Sequence, residues 1–146
     1  MRLSRQLGLF LAVGPVAVAC SILEPTFSEP ALIIFFGDTA QISAPDSAAR
    51  GAAFEVSVPT FAGGCTRTIA RTETAIIGTL VVIRPYNETR RADACTDDLI
   101  ILTHRVSVRF DQPGPATIRV VAEQRPFQGT GTRSGPAQVE HRVFID

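Results

Sequence analysis

The sequence contains no lysine and no tryptophan, and it has one tyrosine and one methionine in 146 residues. All 14 basic residues are therefore arginines, which excludes any mechanism that needs a lysine amine as nucleophile or Schiff base. Acidic residues also number 14, so the formal net charge at neutral pH is zero. A chain without a basic excess lacks the electrostatic footprint of a nucleic-acid-binding protein.

The motifs that commonly carry catalysis are missing as well. No serine stands in a G-x-S-x-G motif, the turn that presents the nucleophile of many hydrolases. No cysteine or histidine has a second such residue two to four positions away, as zinc ligands commonly do. The sequence therefore predicts a protein that is not an enzyme and that uses neither a metal nor another cofactor.

The first 19 residues have the features of a secretory signal peptide. Arg2 and Arg5 supply a basic start, and an apolar run follows from residue 7 to residue 19. This run, roughly 13 residues long, is shorter than the ~20 residues that cross a bilayer as a helix. It ends in the small residues of Ala17–Ala19, which satisfy the rule for signal cleavage. We therefore expect an exported protein that loses residues 1–19.

Cys20 follows directly, and the four residues from Ala17 to Cys20 resemble the lipobox of bacterial lipoproteins. In that family the cysteine is lipidated and becomes the first mature residue, although leucine is commonest where this chain has Ala17. The resemblance implies a membrane anchor at Cys20 and a location in the bacterial cell envelope, facing the periplasm or the cell surface. The alternative is a coincidental cysteine beside an ordinary cleavage site.

The rest of the chain predicts a short tether and one all-β domain. Residues 20–30 contain two prolines and two glutamates without periodicity, which indicates an extended tether before a domain at residues 31–146. In residues 105–110 and 118–123 apolar and polar side chains alternate, so one face of each strand meets a core and the other meets water. About seven or eight such runs, separated by turn residues, predict an antiparallel β-sandwich.

Two stretches of this domain resemble bacterial immunoglobulin-like domains. Residues 45–58 lead from a proline through a short link and a glycine into F-x-V-x-V, which is similar to the opening of those domains. The corner at residues 108–120 is similar to a late hairpin of the same family. The resemblance implies an immunoglobulin-like sandwich in a small bacterial lipoprotein, and it brings no catalytic residues. The missing tryptophan departs from antibody-type domains.

Cys65 and Cys95 remain as an even pair if Cys20 carries the lipid. In an oxidising compartment two such cysteines usually form a disulfide. Closing a loop of about 31 residues would stabilise the fold by roughly 3.7 kcal/mol in the chain-entropy treatment. The alternative is a metal site that combines the cysteines with His104 and His141, although the spacing of these residues is not that of common zinc sites.

These observations favour a lipid-anchored, non-enzymatic module that binds a protein or glycan of the envelope or supports an envelope assembly. The expected contact region is a polar loop predicted at residues 86–98. It contains Tyr86, Arg90 and Arg91, and tyrosine and arginine are enriched at interface hot spots. The membrane is the other expected partner, through the lipid on Cys20.

A second functional class stays open. A small hydrolase, or a metal- or calcium-binding envelope protein, would use His104 or the carboxylates of Asp93, Asp97 and Asp98. Calcium takes oxygen ligands of this kind, but these residues lack the spaced D-x-D-x-D pattern of calcium loops. His104 also fits a core position, because Leu102 and Val106 share its side of the strand.

Overall fold

The computed structural model describes residues 25–36, 39–124 and 135–146; the predicted signal peptide and Cys20 lie outside them. Within these ranges the secondary structure consists of eleven β-strands. They are β1 (Thr26–Pro30), β2 (Leu32–Ile33), β3 (Phe35–Phe36), β4 (Thr39–Ala40), β5 (Ser47–Ala48), β6 (Ala53–Gly63), β7 (Thr66–Ile77), β8 (Leu80–Arg90), β9 (Leu99–Arg109), β10 (Gly114–Gln124) and β11 (Gly135–Ile145). In this part of the chain we found no helix of the length and hydropathy needed to cross a membrane.

The core is built from alternate residues of the long strands. β9 buries His104, Val106 and Val108, and the residues between them are exposed. β10 buries every second residue in the same way: Ala116, Ile118, Val120 and Ala122. Each fully buried valine or isoleucine contributes about 1.5–3 kcal/mol relative to an exposed position. The alternation predicted for these two strands is confirmed, and the all-β class with it.

Five strands close into a ring. β8 pairs with β7, β7 meets β6 at one residue pair, β6 pairs with β2, β2 meets β10, and β10 returns to β8. The contact that completes the ring is parallel and regular, with Leu80–Ile83 of β8 beside Thr117–Val120 of β10. β1, β9, β11 and β5 extend the sheet outside the ring. The architecture is a closed five-stranded β-barrel with additional strands.

The predicted immunoglobulin-like β-sandwich is therefore wrong. A sandwich keeps two sheets with separate edges, whereas the pairing of β8 with β10 joins those edges into one closed sheet. Alternation in the sequence indicates which side of a strand is buried, but it does not indicate which strand lies beside it. The number of strands also differs, since the described residues alone contain eleven rather than seven or eight.

Part of the predicted tether belongs to the fold. Thr26–Pro30 form β1, which pairs antiparallel with Tyr86–Arg90 of β8. All five residues of β1 are exposed, so a polar, proline-containing segment can add to this edge without burying a side chain. The backbone of Ala31 then links two strands: its N–H donates to the carbonyl of Pro85 at 2.9 Å, and its own carbonyl accepts from the N–H of Glu123 at 2.9 Å.

β8 continues through Pro85 to Arg90, so the loop predicted from residue 86 begins too early. The neighbour of β8 changes at this point, because β10 pairs with residues 80–83 and β1 with residues 86–90. The N–H and C=O of a strand residue point to the same side. An N–H at residue 85 would therefore face Ala31, whose carbonyl already accepts from the N–H of Glu123, so proline displaces no hydrogen bond there. The connecting loop is therefore residues 91–98.

Gly63 ends β6 in a backbone conformation that favours glycine. Its φ is +147°, and a Cβ placed on it would collide with the backbone carbonyl oxygen of Asp98. Gly78, in the turn between β7 and β8, also has a positive φ of +60°, but a Cβ there would meet open space. Substitution of Gly78 therefore measures the free-energy cost of the backbone conformation alone, whereas substitution of Gly63 adds the cost of a steric clash.

We predict that Gly63→Ala destabilises the protein by on the order of 3 kcal/mol, because the loop backbone at Asp98 must move in addition to the strained φ. The matched Gly78→Ala variant should lose only about 1 kcal/mol, the cost of the left-handed conformation. Chemical denaturation of both variants measures the difference. Equal losses would contradict the close packing of the 91–98 loop on Gly63.

Candidate functional site

A disulfide fastens the 91–98 loop to the turn between β6 and β7. The sulfur atoms of Cys65 and Cys95 lie at bonding distance, and their Cα atoms are 5.1 Å apart, within the usual range for a disulfide. The carbonyl of Cys65 also accepts a hydrogen bond from the N–H of Arg90 at 3.0 Å. The predicted Cys65–Cys95 pair is present in the structure, and its cysteines flank loop residues as expected.

A cluster of polar side chains holds the same loop from the side of β7. Arg67 Nη2 donates to the carboxylate of Asp98 at 2.6 Å and to Thr96 Oγ1 at 2.5 Å. Thr96 Oγ1 in turn donates to Asp98 Oδ1 at 2.6 Å. The hydrogen bond from Thr96, and then that from Arg67, lower the pKa of Asp98 below its usual value. The 91–98 loop is thus held by a disulfide and by an ion pair.

We predict that the double variant Cys65→Ser/Cys95→Ser loses about 2–5 kcal/mol of unfolding free energy, because the unfolded chain gains the freedom that the bridge removes. Denaturant unfolding of the variant and of the wild type gives this difference. Peptide mapping under non-reducing conditions should recover the Cys65 and Cys95 peptides joined. Recovery of two free thiols from the exported protein would contradict the bridge.

The three residues predicted to contact a partner are not together in one loop. Tyr86 lies in β8, half-buried, and the guanidinium carbon of Arg71 lies 3.9 Å from the centre of its ring. Arg90 ends β8 opposite Thr26, and Arg91 starts the loop. Tyr86 is therefore four strand residues from Arg90, about 13 Å at 3.3 Å per residue. Arg90 and Arg91 are both exposed and lie beside the start of β1.

His104 belongs to a buried network of hydrogen bonds. The side chain is 1% exposed, and its neighbours Asn87 and Thr60 are equally buried at 2% and 0%. His104 Nε2 lies 3.0 Å from Asn87 Oδ1, and its Nδ1 lies 2.7 Å from Thr72 Oγ1. Asn87 Nδ2 donates to Thr60 Oγ1 at 3.3 Å, and Thr60 Oγ1 donates to the carbonyl of Leu102 at 3.0 Å. The network joins β6, β7, β8 and β9.

The hydrogen bonds fix the tautomer of His104. Asn87 Oδ1 can only accept, so Nε2 must carry the proton. Nδ1 of the neutral ring is then the acceptor, and the hydroxyl of Thr72 donates to it. Every buried side-chain nitrogen and oxygen among the described residues has a partner. Burial away from water lowers the pKa of His104 below its usual value, which keeps the ring neutral.

This arrangement defines what His104 can do. Both ring nitrogens are used and the ring has almost no exposed surface, so His104 cannot contact a substrate or a metal while the barrel is closed. His141 lies elsewhere, on β11, where its Nε2 is 3.4 Å from the carbonyl of Pro45 and 3.7 Å from Asp46 Oδ1. The two histidines and the disulfide therefore do not form the metal site considered as an alternative.

We predict that unfolding free energy is constant at and above about pH 7 and decreases below about pH 6.5, where unfolded histidine takes up a proton that buried His104 resists. The decrease ends once the pH falls below the lowered pKa of the folded state. His104→Gln should flatten this dependence, whose slope for one proton is at most about 1.4 kcal/mol per pH unit. Denaturation curves between pH 5 and 8 measure it, with His141→Gln as the control for the loss of an imidazole outside the network. An unchanged slope in His104→Gln would contradict the assignment.

The acidic residues of the loop are not arranged as a calcium site. The carboxylate of Asp98 is engaged by Arg67 and Thr96, while Asp93 and Asp97 are exposed. In residues 25–36, 39–124 and 135–146, no group of three histidine, cysteine, aspartate or glutamate side chains is placed to hold a metal ion. Of the residues considered for the alternative function, the structure thus gives His104 and Asp98 structural partners.

A cavity of about 380 Å³ opens beside this loop, between β1, β2 and the end of β6. Its wall includes Leu32 and Leu99 together with the carboxylates of Glu29, Asp98 and Glu123. Thr89 donates a hydrogen bond to Glu29 at 3.0 Å. Among the described residues that line the cavity there is no serine, cysteine or histidine that could act as a nucleophile or base. Its chemistry is that of a mixed apolar and acidic surface.

Sequence reasoning missed the partners of His104. Thr60, Thr72 and Asn87 come from three different strands, and only the register between those strands brings them together. Residue 87 had been expected in a loop. A polar residue at a position whose strand neighbours are apolar, such as Thr60 after Val56 and Val58, was the one available signal.

Comparison of the chain with family models, with curated proteins and with solved structures found no match.

Proposed function

We propose that this protein is a lipid-anchored, non-enzymatic binding module of the bacterial cell envelope. The observation that carries the proposal is the pairing of Cys65 with Cys95. A structural disulfide fits an oxidising compartment outside the cytoplasm, and it accounts for two of the three cysteines. The remaining cysteine is Cys20, directly after a signal-like segment and in a lipobox-like context, where lipidation would use it.

The position of β1 supports an anchor at this point of the chain. The first strand begins at Thr26, six residues after Cys20, and six extended residues span at most about 20 Å. A lipid on Cys20 would therefore hold the domain close to the membrane. Thr26 pairs with Arg90, so the end of the barrel nearest the anchor would carry Arg90, Arg91 and the disulfide-stapled loop.

The chemistry of the described residues favours binding over catalysis. His104, the histidine considered for a hydrolase, is sealed in the network with Thr72 and Asn87. Asp98, considered for calcium, is ion-paired with Arg67. A partner protein or glycan of the envelope would instead contact the surface around the disulfide-bonded 91–98 loop. The exposed Arg90 and Arg91 remain the residues predicted to make this contact.

We predict that the full chain expressed in a bacterial host fractionates with the membrane, whereas Cys20→Ser is released as a soluble exported protein. Two acyl chains on one cysteine give stable anchoring, and serine cannot carry the thioether. Fractionation followed by intact mass measurement detects both the location and the lipid.

The matched control is Cys65→Ser/Cys95→Ser, which keeps Cys20 and should stay in the membrane fraction even if it is less stable. Wild type and Cys20→Ser in the same fraction, with no lipid-sized mass difference, would contradict the anchor.

The binding role has its own test, in which Arg90→Ala/Arg91→Ala should lose partners that the wild type captures from its own envelope.

A further inference from the structure

The second half of β7 has an edge without a partner strand among the described residues. On one side β8 pairs regularly with it from Arg71 to Ile77, and on the other side β6 meets only Thr66. The five residues from Glu73 to Ile77 are all exposed. In this stretch no strand among the described residues pairs with the backbone N–H and C=O groups of the open edge.

The residues of this open edge include two exposed isoleucines. Ile76 is 51% exposed and Ile77 is 68% exposed. Natural proteins usually blunt an edge strand with bulges, prolines or charges. β7 has irregularities in register between Thr66 and Thr68 and between Ile69 and Arg71, but none from Arg71 onward. The only charge in the open stretch is Glu73, which pairs with Arg71 of the same strand at 2.8 Å.

We propose that a second copy of this chain adds its own Glu73–Ile77 edge to this one, as an antiparallel strand pair with Ala75 facing Ala75 across a two-fold axis. An open row of N–H and C=O groups is completed by another strand, whereas lipid chains would leave these groups without hydrogen bonds. A strand therefore fits the edge better than a membrane surface does.

The sequence of the edge is complementary to itself in this register. Thr74 faces Ile76 of the second copy, which is a pair of β-branched side chains of the kind that stabilises neighbouring strands. Glu73 faces Ile77 of the second copy, so no two like charges oppose each other. Because the contact is symmetric, it closes after two copies and does not propagate into a fibre.

The register is tested by a cysteine at its centre, introduced into full-length Cys20→Ser so that no other thiol is free. Residues directly opposite in an antiparallel pair have Cα atoms about 4.5–5.5 Å apart, which a disulfide can span. Under mild oxidation Ala75→Cys should form a covalent dimer on a non-reducing gel. Ala52→Cys, at an exposed position just before β6, is the matched control for random collisions and should stay monomeric.

Sedimentation measures the same contact without a cross-link. The Cys20→Ser protein should be a reversible dimer, and Ile76→Arg should weaken dimerisation by about tenfold or more, because it places a charge in the shared sheet. Ile76 is exposed in the monomer, so at concentrations where both proteins are monomeric this variant should keep the denaturation midpoint of its parent. Cross-linking of Ala75→Cys no greater than that of Ala52→Cys would overturn the proposal. So would a parent protein that stays monomeric but binds phosphatidylcholine–phosphatidylglycerol vesicles through Ile76.

Discussion

The parallel pairing of β8 with β10 is the contact on which the rest of this structure depends. It sets Leu80–Ile83 beside Thr117–Val120 and so joins two antiparallel hairpins, β7–β8 and β10–β11, into one closed sheet. Val81, Ile83, Ile118 and Val120 are fully buried as a result. Parallel neighbours distant in the chain bring a large loop-closure cost, which this continuous apolar contact must offset.

The register of the strands also determines what the polar residues do. The pairing of β6 with β9 and of β7 with β8 accompanies the contact of Asn87 with His104, and a chain of hydrogen bonds from Thr72 to Thr60 satisfies the buried side-chain atoms. Such a network restricts the strands to one register. A shift of one residue would leave a polar group in the core without a hydrogen-bond partner. His104, the histidine considered for a hydrolase, is therefore a structural residue, and the contacts that we propose lie at the exposed end of the barrel and at the open edge of β7.

Local patterns allowed some of this to be predicted, and non-local contacts account for what was not. The alternation around Val106 and Ile118 indicates which residues are buried. It was sufficient to predict the all-β class and the buried faces of β9 and β10. The pairing of Cys65 with Cys95 followed from counting. The loop predicted from residue 86, by contrast, begins too early, because the continuation of β8 to Arg90 depends on its pairing with β1. The same non-local register hid the partners of His104 and turned a predicted sandwich into a barrel.

The closed ring is tested most directly by nuclear Overhauser contacts between the backbones of β8 and β10. Our account predicts contacts typical of a parallel pair between Val81 and Ile118 and between Ile83 and Val120, with slowly exchanging amides on both strands. If β8 has no contacts to β10 on that side and its amides there exchange like those of an open edge, the barrel is not closed. A sandwich with separate sheets would then be the correct description.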